Sequence, residues 1–248
     1  MTTVVTGAAS GIGRATALRL AAGGPVTLVD RDASGLAETA CAVVAAGGAA
    51  TTFVVDLADA DAVASAVEEI ETVAPVTALA HCAGVLVTGP VLDATADDWR
   101  AVLDVNLMGV IHTVTAVARR MAERGSGAVV VVGSNAGVAP RVGLGVYGAA
   151  KAAAHMAVRA LALELGGRGV RVNVVAPGST DTPMQAAFGG AGAAAAAVAG
   201  DLARHRLGIP LGRIADPDDI ACAVEYLLSP GARHITAQVV TVDGGATT

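Results

Sequence analysis

The sequence is poor in aromatic and charged residues. Of its 248 residues only 2% are aromatic and 15% are charged, whereas 54% are hydrophobic. A chain this apolar buries enough surface to fold, so intrinsic disorder is excluded. Because aromatic side chains are so few, the core must be built from Ala, Val and Leu. The 31 glycines suit a fold with many tight turns between strands and helices.

Clustered positive charge is also lacking. The net charge is -6, which argues against nucleic acid as a partner. Every long apolar run is interrupted by Gly or a charged residue, which predicts no membrane-spanning segment. The first apolar run follows Met1 without a basic region, so no secretory signal is indicated. We therefore expect a soluble, cytoplasmic protein.

Cysteine is rare, and its positions do not suggest a joint role. Cys41, Cys82 and Cys222 are odd in number and far apart, without CxxC or Cys/His ligand spacing. This pattern predicts reduced, buried thiols and no metal site.

Short apolar runs alternate with Ala-rich helical stretches along the whole chain. Near-continuous hydrophobicity within such short runs is typical of strands that are covered on both faces. The alternation predicts a single α/β domain in which helices flank a doubly wound, seven-stranded parallel sheet. The predicted strands are Thr2–Thr6, Val26–Asp30, Thr51–Asp56, Thr77–His81, Ala128–Ser134, Val170–Ala176 and Gln238–Val242. The predicted helices cover residues 12–22, 34–46, 60–73, 97–123, 147–166 and 217–228.

One segment departs from this alternation. No strand is predicted between Pro177 and Pro217, and the segment includes the low-complexity run Gly189–Gly200. A flexible linker could have the same composition. Because the segment follows a sheet strand, the pattern favours a mobile helical lid, at roughly residues 180–212, over the carboxyl ends of the strands.

A glycine-rich turn follows the first predicted strand and opens the first helix. Glycines at this point allow a tight turn and let a pyrophosphate approach backbone N–H groups at the positive end of a helix. The turn predicts a dinucleotide site that includes Gly7, Ser10, Gly11, Ile12 and Gly13.

Asp30 ends the second predicted strand and bears on the choice of dinucleotide. A carboxylate here can accept hydrogen bonds from both adenosine ribose hydroxyls and would repel a 2′-phosphate, which favours NAD over NADP. Arg31 could instead tolerate that phosphate, but the glycine turn itself carries no cation.

The next two strand ends extend the predicted cofactor site. Asp56 ends the third strand and precedes Leu57, and this pair could hold the adenine edge. Ala83 and Gly84 follow the fourth strand, where small residues let the backbone pass close to a nucleotide. His81 is interpreted as a packed residue of the strand end rather than an acid or base.

The candidate chemistry lies on the fifth strand and the helix after it. Tyr147 and Lys151 are four residues apart and share a helix face. The ammonium group can therefore lower the pKa of the phenol and make it a base at neutral pH. Ser134, at the end of the strand, could hydrogen-bond the substrate oxygen. Lys151 is the only lysine of the chain, which indicates a chemical demand that arginine does not meet.

Taken together, these motifs resemble the short-chain dehydrogenase/reductase family over the full length of the chain. The resemblance implies a Rossmann-like fold and an NAD-linked enzyme that acts on a CH–OH group. One departure is His81-Cys82, where the family usually has two asparagines. The matching segments are Thr6–Gly13, Asp56-Leu57, Ala83-Gly84, Asn106, Ser134, Tyr147-x3-Lys151 and Pro177-Gly178.

The resemblance also implies roles for individual residues. Tyr147 would be the general base, Ser134 would orient the substrate, and Lys151 would also bind the nicotinamide ribose. Asn106 would hold a water that links Lys151 to solvent. The segment after the sixth strand would hold the nicotinamide carboxamide through Pro177, Gly178, Thr180 and Thr182.

The second half of the chain is similar to dehydrogenases that act on 2,3-dihydro-2,3-dihydroxybenzoate. This resemblance implies oxidation of the C3 hydroxyl of a cyclohexadiene carboxylate. Arg141 is the candidate partner of the carboxylate, since arginine pairs with it through two hydrogen bonds. Met184 and Gln185 would cover the ring. The similar segments are Ala139–Gly143, Pro177–Gln185, Leu207–Ile214 and His234–Thr236.

Three alternatives stay open at this point. The substrate could be the 2-amino analogue, trans-2,3-dihydro-3-hydroxyanthranilate. The protein could instead be a broad alcohol dehydrogenase or 3-oxoacyl reductase. A protein that binds NAD without turnover is the third reading, and the presence of both Tyr147 and Lys151 argues against it.

The helix of Tyr147 also bears on assembly. Its segment Ala149–Leu165 is apolar round most of its circumference. Such a helix covers the sheet with one side and needs a partner for the other. We therefore expect a homo-oligomer, and the family resemblance implies a tetramer.

Overall fold

The computed structural model describes residues 1–189 and 192–247. Within these residues, seven parallel strands form one sheet in the order β3-β2-β1-β4-β5-β6-β7. Helices cover both faces of the sheet, so the predicted three-layer fold is confirmed. The strands are β1 (Thr2–Thr6), β2 (Val26–Asp30), β3 (Ala50–Val54), β4 (Val76–His81), β5 (Gly127–Val132), β6 (Val170–Pro177) and β7 (Val239–Val242).

Two strands end earlier than predicted. β3 ends at Val54 and β5 at Val132, so Asp56 and Ser134 lie in the turns that follow the strands. In each case the side chain explains the turn, because it accepts a hydrogen bond from the backbone N–H two residues further on. Oδ1 of Asp56 accepts from Ala58 at 3.0 Å, and Oγ of Ser134 accepts from Ala136 at 3.1 Å.

The helices agree with the predicted ones except in the middle of the chain. The predicted helix over residues 97–123 is two α-helices joined by a π-helical turn at Asp104–Met108, and the sequence pattern did not indicate this turn. The helices are α1 (Gly11–Ala21), α2 (Ala33–Ala45), α3 (Ala60–Val73), α4 (Ala96–Leu103), α5 (Gly109–Arg124), α6 (Gly145–Gly166), α7 (Pro183–Gly189), α8 (Ala193–Ala199) and α9 (Pro217–Leu228).

The order of the strands creates a crevice between β1 and β4. From β1 the chain builds outward to β2 and β3, then returns to β4 on the other side of β1. The connections after β1 and β4 therefore leave the sheet in opposite directions, which opens a crevice at the carboxyl ends of these strands. The glycine-rich turn and the Ala83-Gly84 pair both lie at this edge.

The core consists of two apolar layers, one on each face of the sheet. In β5, Val129 and Val131 point into the layer that α3, α5 and α6 cover. Val130 and Val132 point into the layer that α1, α2 and α9 cover. Both faces of β5 are therefore dry, which explains the unbroken apolar run in its sequence.

One helical stretch is long and apolar enough to cross a membrane by length and composition alone. It is Ala96–Arg124, although 44% of its apolar window is buried inside the fold. Asp104 and Gly109 interrupt the stretch, in agreement with the expectation that Gly or a charged residue breaks each apolar run. Val110, Val114 and Val117 of α5 pack against the sheet, as in a core helix.

The cysteines only partly follow the prediction. All three are free, but Cys41 is exposed and the other two are half-buried. The expectation of a buried thiol at Cys41 is wrong because α2 turns Leu36, Thr39 and Val43 inward and places Cys41 on its outer side.

The lid segment, defined as residues 179–212, covers the carboxyl edge of the sheet. As expected, its described residues contain helices α7 and α8 but no sheet strand. At its start, Asp181 N–H donates to the Ala215 carbonyl and Ala215 N–H donates to Ser179, both at 2.9 Å. Residues 190 and 191 of the predicted lid lie outside the described residues.

Candidate active site

The end of β5 and the first turns of α6 bring three predicted residues together. Lys151 is only 4% exposed, and its Nζ donates a hydrogen bond of 3.1 Å to the carbonyl of Val132. The same Nζ lies 5.8 Å from the centre of the Tyr147 ring. Ser134 is also buried, and it lines the same cavity as Tyr147 and Lys151. The predicted constellation is therefore present in space.

Desolvation dominates the electrostatics of this constellation. It lowers the pKa of Lys151 to about 8, with a small opposing effect from Cys82. Desolvation also raises the pKa of Tyr147, while interaction with the Ser134 hydroxyl opposes that rise. The expected lowering of the phenol pKa by Lys151 is therefore wrong for this arrangement, in which the ammonium group is held by the Val132 carbonyl.

Asn106 lies behind this constellation, in the π-helical turn. Its Oδ1 accepts from Val85 N–H at 2.9 Å and its Nδ2 donates to the Val85 carbonyl at 2.7 Å. A Cβ at Gly84 would lie 3.0 Å from the Asn106 Oδ1 and 3.3 Å from the Lys151 Nζ. Asn106 and Lys151 thus approach the same backbone segment after β4. The water that Asn106 is expected to hold stays a prediction.

A cavity of about 270 Å³ lies at the crevice between β1 and β4. It brings together every residue that the sequence assigned to the adenosine and pyrophosphate end of a dinucleotide. These are Gly7, Ser10, Gly11, Ile12, Gly13, Asp30, Asp56, Leu57, Ala83 and Gly84.

The backbone of this cavity fits a dinucleotide phosphate. Gly7 has φ 66°, and a Cβ there would lie 2.7 Å from the backbone nitrogen of Ala83. A Cβ at Gly13 would overlap the Gly7 carbonyl oxygen. Ser10 precedes α1 without a side-chain capping bond among the described residues, so the first N–H groups of α1 stay available to an anion.

Two charged side chains hold the glycine turn at one end of the cavity. Asp30 accepts hydrogen bonds of 3.1 Å from the backbone N–H groups of Ala9 and Asp32, one on each carboxylate oxygen. These bonds fix the carboxylate against the glycine turn. Arg14 braces the same turn from behind, since it donates to the Ala9 carbonyl at 2.7 Å and pairs with Glu38 at 2.9 Å.

A second cavity, of about 530 Å³, lies between the β5–α6 connection and the lid segment. Ile12, Cys82, Gly84, Thr182 and Met184 line both cavities, so the two form a continuous cleft. The second cavity contains the remaining predicted residues apart from Asn106, namely Ser134, Arg141, Tyr147, Lys151, Pro177, Gly178, Thr180, Thr182, Met184 and Gln185.

Two half-buried arginines line the second cavity. Arg141 comes from the β5–α6 connection and Arg206 from the lid segment. The Nε atoms of both side chains are buried and have no hydrogen-bond partner among the described residues. The pKa of Arg141 is lowered first by desolvation and then by the charge of Arg206, while Asp243 opposes this. Two half-buried guanidinium groups with unpartnered Nε atoms in one cavity favour an anionic ligand.

Sequence reasoning identified Arg141 but missed Arg206. The signal that could have found it is its place immediately before the segment Leu207–Ile214, which was singled out for its resemblance. Arg206 is held to the lid segment by a 3.3 Å hydrogen bond to the Ser179 hydroxyl. The chain folds back at this point, where the backbones of Asp201 and Arg206 exchange hydrogen bonds of 2.8 and 2.9 Å.

His81 is fully buried, as expected, but its ring nitrogens have no hydrogen-bond partner among the described residues. Desolvation, with the charge of Lys151, lowers the pKa of His81 to about 3. The ring is therefore neutral beneath Lys151. No group of three His, Cys, Asp or Glu side chains in the described part of the chain is placed to hold a metal ion.

The fold and the site together define a class of protein. A glycine-rich cradle at the switch point of a parallel sheet, continuous with a Ser–Tyr–Lys constellation, is the arrangement of an oxidoreductase that uses a nicotinamide cofactor. Residues 1–191 match the short chain dehydrogenase family, and the chain belongs to it. The protein is thus an NAD(P)-dependent oxidoreductase that acts on a CH–OH group.

Relatives with known names are similar over most of the chain. The vibriobactin-specific 2,3-dihydro-2,3-dihydroxybenzoate dehydrogenase of Vibrio cholerae is 44% identical over 78% of this chain and 74% of its own. The 2,3-dihydro-2,3-dihydroxybenzoate dehydrogenase of Bacillus subtilis is 39% identical over 98% of this chain and 94% of its own.

Solved structures share the same architecture. A 3-oxoacyl-(acyl-carrier-protein) reductase from Agrobacterium tumefaciens, with NADP bound, superposes with a TM-score of 0.89. It is 28% identical, and the match covers 98% of this chain and 93% of that protein.

Proposed function

We propose that this protein is an NAD-dependent dehydrogenase that oxidises the C3 hydroxyl of 2,3-dihydro-2,3-dihydroxybenzoate and gives 2,3-dihydroxybenzoate. The observation that carries the proposal is the pair Arg141 and Arg206, whose buried Nε atoms share a cavity with Ser134 and Tyr147. The names of the Vibrio and Bacillus relatives support this substrate.

The carboxylate of the substrate would lie between the two arginines. A carboxylate accepts hydrogen bonds from two guanidinium groups and removes the repulsion between them. Because Arg141 stands on the β5–α6 connection and Arg206 on the lid segment, the carboxylate would join the two walls of the cavity. Met184 and Gln185, at the start of α7, would then cover the ring.

The chemical step follows from the residues at the other end of this cavity. A bound nicotinamide supplies the hydride acceptor. Ser134 donates a hydrogen bond to the substrate oxygen at C3 and holds it beside Tyr147. The phenolate of Tyr147 would remove the hydroxyl proton while the hydride leaves C3. Because burial raises the pKa of Tyr147, the Ser134 hydroxyl and the charge of Lys151, 5.8 Å from the ring centre, would have to offset this effect during the reaction. The dienone product tautomerises to an aromatic phenol, which makes oxidation effectively irreversible.

The same site favours NAD over NADP. The carboxylate of Asp30, fixed by Ala9 and Asp32, lies where the adenosine ribose would bind. Arg31 lines the same cavity and could pair with a 2′-phosphate. We expect kcat/KM for NAD to exceed that for NADP, and we expect Asp30→Ala to reduce this preference. A wild-type enzyme that prefers NADP would contradict this assignment.

The substrate proposal is tested by assaying the purified protein with NAD and a set of related compounds. The set contains 2,3-dihydro-2,3-dihydroxybenzoate, its methyl ester, and trans-2,3-dihydro-3-hydroxyanthranilate, which shares the ring, the carboxylate and the C3 hydroxyl. NADH is followed by absorbance and the aromatic product by chromatography. We expect the dihydroxy acid to have the highest kcat/KM. If the ester reacts as well as the acid, the proposed role of the arginines is wrong.

We also propose that the protein is a cytoplasmic homotetramer with no nucleic-acid or membrane partner. The outer side of α6 supports self-association, since Met156 is 63% and Leu163 is 75% exposed. Sedimentation velocity at micromolar concentration should show a single species larger than a monomer. A stable monomer would overturn this assignment.

A further inference from the structure

The face of α6 that carries the catalytic groups includes a third polar residue. His155 follows Lys151 by one turn, as Lys151 follows Tyr147, so the three side chains form a row on the helix. His155 is only 5% exposed. Unlike the other two, it does not line either cavity. Any effect of His155 on the reaction must therefore pass through a neighbouring group.

That neighbour is the backbone of Ser134. Gly133, directly after β5, continues the pairing with β6, since its N–H donates to the Val175 carbonyl at 2.7 Å. The N–H of Ser134 lies beyond the ladder and is buried. It donates to Nε2 of His155 at 3.3 Å. A buried N–H without an acceptor is costly, so this bond stabilises the backbone where the strand ends.

The surrounding backbone is shaped to the imidazole ring. A Cβ at Gly133 would overlap the Nε2 atom of His155, and a Cβ at Gly137 would lie 2.8 Å from its Cε1 atom. Both residues are glycines at the points where the loop passes the ring. The ring thus fills a space that the β5–α6 connection leaves for it.

The chemical state of His155 suits an acceptor. Desolvation, followed by the charges of Lys151 and Arg159, lowers the pKa of His155 to about 4. The ring is therefore neutral at physiological pH. Because Nε2 accepts the Ser134 N–H, the single ring proton resides on Nδ1.

We propose that His155 is a positioning residue that holds the Ser134 backbone, and through it the Ser134 hydroxyl, in place for the reaction. The hydroxyl accepts from Ala136 N–H at 3.1 Å and interacts with the Tyr147 phenol. A shift of the Ser134 amide would redirect this hydroxyl away from the substrate oxygen. The inference rests on the proposed function only for the substrate of its kinetic test.

The test compares two replacements of similar size. His155→Gln retains an acceptor near the position of Nε2, whereas His155→Leu removes it. We expect His155→Leu to lower kcat about 10-fold, the value of one hydrogen bond, and to leave KM for NAD unchanged. His155→Gln should recover most of this loss. The matched control is Val158→Ala, a core substitution on the same helix that does not touch Ser134, and its kcat should be that of the wild type.

A double-mutant cycle separates positioning from packing. In a Ser134→Ala background the hydroxyl that His155 positions is gone, so His155→Leu should lower kcat no further. If His155→Leu and His155→Gln lose kcat equally, and the loss persists in the Ser134→Ala background, His155 is a packing residue and the proposal is wrong.

Amide hydrogen exchange supplies a readout that needs no substrate. The Ser134 amide should exchange faster in His155→Leu than in the wild type, and His155→Gln should restore slow exchange. Equal exchange in all three proteins would overturn the proposal whatever the substrate is. If the wild type oxidises none of the cyclohexadiene acids, the proposed function fails while this measurement still decides the role of His155.

Discussion

The two walls of the active-site cavity are held in place by different means. On the β5–α6 wall, Lys151 and Ser134 are buried and are bonded to backbone groups of the same wall. On the lid segment, Leu202 is 78% and Leu211 is 73% exposed. Alanine and glycine dominate this segment, and small side chains bury little apolar surface. The core therefore holds the β5–α6 wall in position, whereas the lid segment is held by much less buried apolar surface.

This difference assigns separate tasks to the two walls. The groups that move a proton stand on the wall whose geometry folding alone secures. Arg206, which would recognise the substrate carboxylate, stands on the wall that a ligand can help to position. Substitutions on the β5–α6 wall should therefore change kcat or stability, and substitutions on the lid segment should change KM.

The largest effect is expected at Tyr147. Tyr147→Phe removes the proposed base but retains the ring, so kcat should fall roughly 10²–10⁴-fold while NAD binding stays unchanged. Steady-state kinetics and NAD titration measure the two quantities. Tyr226→Phe, at the second tyrosine of the chain and 52% exposed on α9, is the matched control with unchanged kcat. Undiminished turnover in Tyr147→Phe would show that the base is another group.

Lys151→Met should abolish turnover and make the protein more stable. Burial lowers the pKa of Lys151 from 10.5 to about 8, so its charge destabilises the fold at neutral pH. This pKa difference corresponds to at most about 3 kcal/mol in the free energy of unfolding. The gain should be full below pH 8 and should vanish as pH rises to 10.5, because the lysine is then neutral in both states. Urea unfolding at pH 7 and pH 10 measures it, and a less stable variant at pH 7 would contradict the argument.

His81, at the end of β4, should make the fold sensitive to acid. Its pKa is about 3 in the folded protein against 6.5 in the unfolded chain, so the unfolded state binds more protons between these values. His81 thus contributes stability that is full above pH 6.5 and falls by about 3 kcal/mol by pH 4. His81→Asn should lose less stability over this interval in urea unfolding. Equal losses in the two proteins would rule out a buried neutral His81.

The smallest effect is expected on the lid segment. Arg206→Gln should raise KM for the acid roughly 10- to 100-fold, the value of a charge-assisted hydrogen bond, with little change in kcat. The methyl ester should be unaffected. Arg213→Gln is the control, since Arg213 is exposed and pairs with Asp219 at 2.6 Å. A fall in kcat without a change in KM would place Arg206 in the chemistry rather than in recognition.

Local patterns explain why much of this protein could be predicted. Short apolar runs identified the strands, because a strand that is buried on both faces has apolar residues at nearly every position. The Tyr147–Lys151 spacing placed both groups on one helix face, since the helical period is local. The same local reasoning failed at Cys41, where the outward side of α2 was not recognised, and at the π-helical turn that carries Asn106.

The sequence by itself determined the order of the elements, the glycine turn and the pair of residues on α6, since each depends on neighbours along the chain. Only the tertiary structure decided that Arg206 approaches Arg141, that His155 accepts the Ser134 amide, and that burial raises the pKa of Tyr147. These depend on distances between segments far apart in sequence and on how much water the folded chain removes, and no local pattern encodes either quantity.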